Sequence, residues 1–195
     1  MIRKVSIIIG IVILILILCA TYKLLDVDSN KSNNKNNNIN VIEEIVYNGE
    51  LPLPVENFMQ VTSKFGLRNA HGVVHSNHTG IDLCGKLGSC VIAVKDGEVT
   101  HSGKQGGYGN CVEIKHTDEQ GNIFYTFYAH MRDNSLQVKK GQQVVVGQVI
   151  GTQGSTGNST GDHLHFEIRT NSGSGNYAID PAPYLFGKKV RENEY

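Results

Sequence analysis

The chain has 195 residues, with 18 lysines and arginines against 18 aspartates and glutamates, so its formal net charge is zero. That balance, with no basic stripe, excludes the electrostatic footprint of a nucleic-acid binder, and the length admits one domain with an appendage rather than two full domains. Twenty-two glycines against four prolines, with no tryptophan, point to strands and turns rather than helices.

Arg3 and Lys4 precede an uncharged run from Val5 to Tyr22, rich in Ile, Leu and Val and ended by Lys23. A run of about 18 apolar residues marks a candidate membrane-spanning helix and exceeds the roughly 7–15 of a signal-peptide core. The expectation is a signal-anchor over 5–22, with residues 1–4 in the cytoplasm and everything after Lys23 on the far side of the cell membrane, a single-pass topology. Leu18 occupies the position where cleavage after Ala20 calls for a small residue, and it also precedes Cys19 where a lipoprotein signal calls for one. Residues 23–55 read as an Asn-rich tether, with the run Asn33-Asn34-Lys35-Asn36-Asn37-Asn38 too polar to bury anything. A tether of roughly 30 residues spans about 30 Å as a coil and about 100 Å at full extension, which keeps the following domain near a bilayer.

Over residues 56–187 short apolar runs alternate with turn signals. Val91 to Val94, Asp96-Gly97 and Glu98 to His101 predict one hairpin; Cys111 to His116, Asp118 to Asn122 and Ile123 to His130 predict another. Gln143 to Val146 and Val149-Ile150 continue the pattern up to a strand through Ser159 to Ile168, and no segment carries a sustained helical period. The expected fold class is mainly β, an antiparallel sandwich or open barrel, closed by Asp180-Pro181-Ala182-Pro183 and followed by a charged tail over 188–195. Cys84, Cys90 and Cys111 fall in this domain, which allows at most one disulfide. Cys84 and Cys90 flank a loop that can close in an oxidising compartment, while the lack of a Cys-x-x-Cys pair argues against a thiolate zinc site.

The chemistry concentrates in two stretches. Alternation through Ser159 to Ile168 puts His163, His165 and Glu167 on one side of a strand and Leu164, Phe166 and Ile168 on the other, so one side packs while the other is available for chemistry. A bare His-x-His also occurs on plain polar strand faces. Upstream, His78-Thr79-Gly80-Ile81-Asp82 sets a histidine and a carboxylate at i and i+4, on the same side of an extended segment, with Gly80 leaving space above the backbone. His78, Asp82 and His165 together make a three-ligand nitrogen and oxygen set with a fourth position left for water, the feature that separates catalytic from structural zinc. The Gly-rich run Gly154 to Gly161 lacks the Gly-Lys-Ser/Thr ending of a phosphate loop and reads as a flexible loop. His71, His75, His101 and His116 are assigned surface or loop hydrogen bonding, and Tyr108 and Tyr128, as strand tyrosines, half-buried packing.

The ordered motifs Phe65-Gly66-Leu67-Arg68, His78 to Asp82, Tyr128-Ala129-His130 and Gly161-Asp162-His163-Leu164-His165, joined by phrases such as Gly107-Tyr108-Gly109-Asn110, resemble the lysostaphin-like (LytM-type) zinc endopeptidases of peptidoglycan, peptidase family M23. The resemblance runs from about residue 60 to Pro181. It implies the duplicated hybrid motif fold, Zn2+ held by His78, Asp82 and His165, and two non-ligand catalytic histidines at His130 and His163. It also implies hydrolysis of peptide bonds in peptidoglycan stem peptides or cross-bridges, here by a membrane-anchored domain. No His-Glu-x-x-His helix supplies the usual glutamate base, so His130 and His163 stand in its place, and which of them takes the proton stays open. Glu167 either orients a ligand histidine from behind or pairs with a lysine or arginine of a neighbouring strand. The resemblance also implies an ion pair or loop anchor at Arg68 of the Phe-Gly-x-Arg phrase, near a substrate groove that Tyr108 and Tyr128 would line and the Gly154 to Gly161 run would border. Some members of such families are membrane-tethered assembly proteins or activators, often lacking one of these positions. All five are filled here, and the second expectation is a zinc-binding, non-hydrolytic scaffold with a partner in an envelope complex.

Overall fold

The structure, a computed structural model of the chain, describes residues 50–70, 73–173 and 175–187. The spanning segment expected over 5–22, residues 1–4, the tether as far as residue 49, His71 and the 188–195 tail lie outside the described residues. Among the described residues no helix is long and apolar enough to cross a membrane. They form β1 (Phe58–Ser63), β2 (Gly66–Ala70), β3 (Val73–His78), β4 (Ile81–Gly85), β5 (Cys90–Ile92), β6 (Gly97–Lys104), β7 (Asn110–Thr117), β8 (Ile123–Met131), β9 (Gln143–Val144), β10 (Val149–Thr152), β11 (Leu164–Arg169), β12 (Ala178–Ile179) and a short helix, α1 (Ala182–Phe186).

Eight strands make one antiparallel sheet in the order β1-β4-β11-β8-β7-β6-β9, with β12 paired to the end of β11. Side-chain alternation gives this sheet two chemically different faces. On one, Leu164, Phe166 and Ile168 of β11 meet Ile81, Leu83, Val112, Ile114 and Tyr128 in a buried apolar core. Full burial of each such side chain contributes about 1.5–3 kcal/mol, so this face supplies most of the stability. Antiparallel β5 and β10 form a small second sheet that adds Val91 and Ile150 to the same core. On the opposite face His165, Glu167 and Arg169 are buried beside Phe127 and Ala129, their neighbours across β8. The hairpin β2–β3 stands as a third, two-stranded sheet.

The architecture is therefore mainly β and antiparallel, as the turn pattern predicts. Packing starts at Leu51, inside the stretch that composition assigns to the tether: the Leu51 amide donates to Tyr184 O (3.0 Å), and Val55 is buried and bridges Val91. The β7–β8 hairpin forms as expected, its turn tied by Asp118 Oδ1, which accepts from the Gln120 and Asn122 amides at 2.9 and 2.8 Å. The other expected hairpin does not. Cys90–Ile92 pairs with β10, whereas Gly97–Lys104 pairs with β7 and β9. Asp96-Gly97 is a crossing point rather than a hairpin turn: a β-carbon on Gly97 would collide with the Lys115 carbonyl, and Asp96 Oδ1 accepts from the Val146 amide (2.7 Å). Cys84, Cys90 and Cys111 are all free thiols, so no disulfide stiffens the loop after Asp82. Burial pushes the Cys111 thiol up to about 12, which leaves it inert.

His116 departs from the surface role assigned to it. It is 1 % exposed, its Nδ1 lies 2.8 Å from Asp96 O, and its Nε2 lies 2.7 Å from Thr126 Oγ1, which continues to the Tyr128 hydroxyl at 3.0 Å. Tyr128, fully buried, also accepts from the Val94 amide (3.1 Å) and belongs to the core rather than to any groove. Burial holds the His116 pKa below its ordinary 6.5. The unfolded chain then binds this proton first, so His116 removes stability as pH falls below about 6.5, levelling off once the folded pKa is passed. In urea titrations of the full-length chain from pH 7.5 to 5, about the range where histidine charges, His116→Asn is expected to lose stability less steeply than the wild type.

Candidate metal centre

Register builds the site. Pairing of β4 with β11 sets Asp82 directly opposite His165. His78 arrives from a different sheet: it ends β3, the chain turns through Thr79-Gly80, and Asp82 follows in β4. The two residues do not share one strand face, as their i, i+4 spacing suggests; the turn folds them together. Gly80 is needed here for closeness, not for open space. A β-carbon there would collide with Phe166 O and come within 2.8 Å of His165 Cε1 and 2.9 Å of Glu167 Cγ.

Three donor atoms converge. His78 Nε2 is 3.0 Å from Asp82 Oδ1 and 3.0 Å from His165 Nδ1, which is 2.9 Å from the same Asp82 oxygen. Each ligand-type residue is held by its other polar atom. His78 Nδ1–H donates to Lys64 O (2.7 Å), His165 Nε2–H donates to Glu167 Oε1 (2.8 Å), and Asp82 Oδ2 accepts from Arg68 Nη2 (2.8 Å). These partners fix both imidazole tautomers, so two nitrogen lone pairs and a carboxylate oxygen face one another across about 3 Å. Such a triangle is repulsive until a cation enters it, either a proton shared between a nitrogen and the carboxylate or a metal ion. Four donors at about 2.0–2.1 Å from a tetrahedral zinc stand about 3.3 Å apart, close to the spacing found, and the donor set suits that ion. The residues therefore fit a divalent metal, and His78, Asp82 and His165 are the group of described residues whose ligand atoms cluster in this way.

His130 and His163 complete the cavity, a cleft of about 340 Å³ that all five residues line together with Arg68, Tyr108 and the 158–160 loop. Their rings lie 4.9 Å apart between centroids, and His130 is 5.8 Å from His165. His130 Nδ1–H donates to Thr156 O (2.7 Å) and His163 Nδ1–H to Gly161 O (2.9 Å), so in both the Nε2 atom is the one left for chemistry. His163 Nε2 lies 3.7 Å from Asp82 Oδ1. His130 adopts φ of 60°, a left-handed conformation rare outside glycine and costly enough to mark a constrained site. Gly154 makes that conformation fit, since a β-carbon there would lie 2.9 Å from His130 O and 2.5 Å from the Arg132 amide nitrogen.

Burial and charge work against each other across this site. Burial favours the protonated Asp82 carboxyl, but hydrogen bonds from His165 and His78 overcome it and hold Asp82 well below the usual carboxylate range. Burial likewise opposes the charge on Glu167, and His165 and Arg169 bring its pKa down to about 2. His165 is pushed down by burial and raised further by Asp82 and Glu167, for a net increase. Burial and the neighbouring His163 keep His130 neutral further into acid than an exposed imidazole.

All five candidate residues thus meet in one cleft. Glu167 meets the first of its two readings, holding His165 through one oxygen, while its other oxygen is held by Arg169 of the same strand rather than by a basic residue of a neighbouring one. Arg68 is the ion pair expected of it, and it borders the cavity as well. Tyr108 lines the cleft and packs edge-on against Phe127 (4.9 Å), and the 154–161 loop borders the opening. His101 meets only Gly103 O (3.3 Å), away from the cavity. Arg169 and Glu113 had no role in the sequence reading, although extending the alternation of β11 by one step from Glu167 reaches Arg169. The backbone carbonyls of Lys64, Thr156 and Gly161 left no signal, because any residue carries one.

The model of peptidase family M23 matches residues 76–181, more than half of the chain. Among curated proteins, the chain is 43 % identical over 116 residues to DD-carboxypeptidase/endopeptidase Mpg of Neisseria meningitidis serogroup B, covering 58 % of this chain and 25 % of that protein. It is 39 % identical over 115 residues to the murein hydrolase activator NlpD of Escherichia coli K12, covering 58 % of this chain and 27 % of NlpD. The matches thus span about a quarter of these relatives' length. Among solved structures, the catalytic domain of the antimicrobial peptidase lysostaphin from Staphylococcus simulans superposes with a TM-score of 0.55 at 32 % identity, over 65 % of this chain and 91 % of that one. A zinc-containing peptidase from Vibrio cholerae superposes with a TM-score of 0.52 at 34 % identity, over 64 % and 36 %.

Metal binding to the folded state alone raises stability by about 2.7 kcal/mol at a hundredfold excess over the dissociation constant. Zinc added to the metal-free full-length chain is therefore expected to raise its melting temperature by several degrees, and Asp82→Ala to abolish the rise, as read by calorimetry.

Proposed function

Because the chain belongs to peptidase family M23, we propose that it is a membrane-anchored zinc metalloendopeptidase that hydrolyses peptide bonds in peptidoglycan stem peptides or cross-bridges. The observation that carries this reading is the pairing, in one cleft, of a three-atom donor cluster with two histidines outside that cluster whose Nε2 atoms are free. His78, Asp82 and His165 would hold the zinc, which acts when bound as a Lewis acid on the scissile carbonyl and makes water acidic near neutral pH. The chain's own residues supply the rest. His130, kept neutral by burial, is available as the proton acceptor, and its hydrogen bond to Thr156 O aims the ring. His163, steadied by Gly161 O, is placed to hydrogen-bond a developing oxyanion, and His130 returns the proton it has accepted to the leaving amine. Arg68 holds Asp82 in one rotamer from the cavity edge.

The anchor rests on the uncharged run over 5–22 behind Arg3 and Lys4, and places the domain on the extracytoplasmic side, facing the wall. A second reading is favoured by the similarity to NlpD, a murein hydrolase activator: a zinc-binding but non-hydrolytic scaffold that works with a partner in an envelope complex.

The deciding experiment measures release of new amino termini from purified peptidoglycan by the full-length chain in detergent, across walls with different cross-bridges. Zinc-dependent release is expected, with His130→Ala and His163→Ala each reducing it by about 10²–10⁴-fold while zinc content stays unchanged. A zinc-loaded wild type inert on every wall would transfer the conclusion to the scaffold.

A further inference from the structure

Resting on the metal-centre reading above, we propose that Arg169, braced by Glu113, is a positioning residue that sets the orientation of the ligand His165 through Glu167. His165, Glu167 and Arg169 occupy successive positions on one face of β11. From His165 Nε2 the contacts run to Glu167 Oε1 (2.8 Å), from Glu167 Oε2 to Arg169 Nε (2.6 Å), and from Arg169 Nη1 to Glu113 Oε1 (3.1 Å). Thr79 Oγ1 donates to the same Glu167 Oε1 (2.7 Å), so both carboxylate oxygens are fixed and the plane of the group is set. That plane decides where the His165 ring points.

Register explains how one guanidinium reaches both carboxylates. Phe127 of β8 lies directly between Glu167 of β11 and Glu113 of β7, and Arg169 bridges the two acids over the Phe127 ring, its Cζ 3.7 Å from the centroid. Arg169 is fully buried, and its Nη2 has no hydrogen-bond partner among the described residues. Two carboxylates, the Phe127 ring and, at 5.7 Å, the Tyr108 ring therefore compensate a desolvated charge. Glu113 is anchored in turn by the Thr100 hydroxyl (2.8 Å), the Ser172 hydroxyl (2.8 Å) and the Gly173 amide (2.9 Å). The 172–173 turn and β6 thus reach the ligand through a continuous line of charge-assisted hydrogen bonds. Lysine at 169 would keep the charge but lose the fork that holds both acids.

The test is binding, not hydrolysis, so it is independent of whether the protein cleaves the wall. Zinc dissociation constants of the full-length chain are measured by competition with a chromophoric chelator, and the visible spectrum of the cobalt-loaded chain reports ligand geometry. Arg169→Lys is expected to weaken zinc roughly 10-fold or more, as partners behind metal ligands do, and to shift the cobalt bands. Glu113→Gln, which preserves shape and removes the charge that braces Arg169, is expected to weaken zinc by about 3-fold or more. The pair Arg169→Lys with Glu167→Gln should bind about as weakly as the weaker single variant, because the two act in series. A purely packing role would instead lower the melting temperature and leave both readouts alone. Folded Arg169→Lys and Glu113→Gln chains with zinc affinity within about twofold of wild type and an unchanged cobalt spectrum would overturn the assignment. A wild-type chain that takes up neither metal would overturn the metal-centre reading itself, and the positioning role with it.

Discussion

Three donor atoms about 3 Å apart in a buried cleft repel one another unless a proton or a metal ion sits between them, and much of this domain is arranged to hold them there. The arrangement costs free energy in the absence of such a cation, because desolvated lone pairs and a carboxylate then face one another. Each donor is therefore pinned from behind by a separate element: the Lys64 carbonyl between β1 and β2, Arg68 from β2, and Glu167 from β11. Such a site cannot collapse to relieve its own repulsion. The strain is balanced by the apolar core on the far face of the same sheet.

That division of labour runs through a single strand. In β11, Leu164, Phe166 and Ile168 anchor the sheet while His165, Glu167 and Arg169 carry charge, each pair of roles separated by one residue. Moving the register by one residue would bury the charges in the apolar core and present leucine and phenylalanine to the cleft. The close approach of Gly80 to Phe166 and His165 fixes the register from the neighbouring chain segment. Ligand geometry and fold stability are thus set by the same hydrogen-bond ladder.

The parts of this site that were legible in the sequence are those with short periods. Alternation alone separates the two faces of β11, and the fold class follows from the spacing of turns. The meeting of His78 and Asp82 was expected for the wrong geometric reason: an i, i+4 pair on one strand became a turn between two sheets, because Gly80 lets the chain pass beneath β11. The hairpin expected at Asp96-Gly97 failed similarly, since a glycine that permits close crossing of strands looks in sequence like a glycine that permits a tight turn. His116 ends a strand, and nothing local distinguishes a core imidazole satisfied by Thr126 from a surface one. The left-handed backbone of His130 and the carbonyls that orient the histidines are products of tertiary packing and carry no residue signature.

Beyond the donor triangle, polar contacts run along one line, Arg68, Asp82, His165, Glu167, Arg169 and Glu113, with an arginine beside each carboxylate and each neighbour in hydrogen-bond contact. The two ends differ in exposure: the Arg68 side chain is 44 % exposed at the cleft, whereas that of Arg169 is 0 % exposed behind it. Solvent and salt screen the first arginine and not the second. The buried end is therefore the rigid reference against which His165 is aligned, and the exposed end is the one that solvent ions reach.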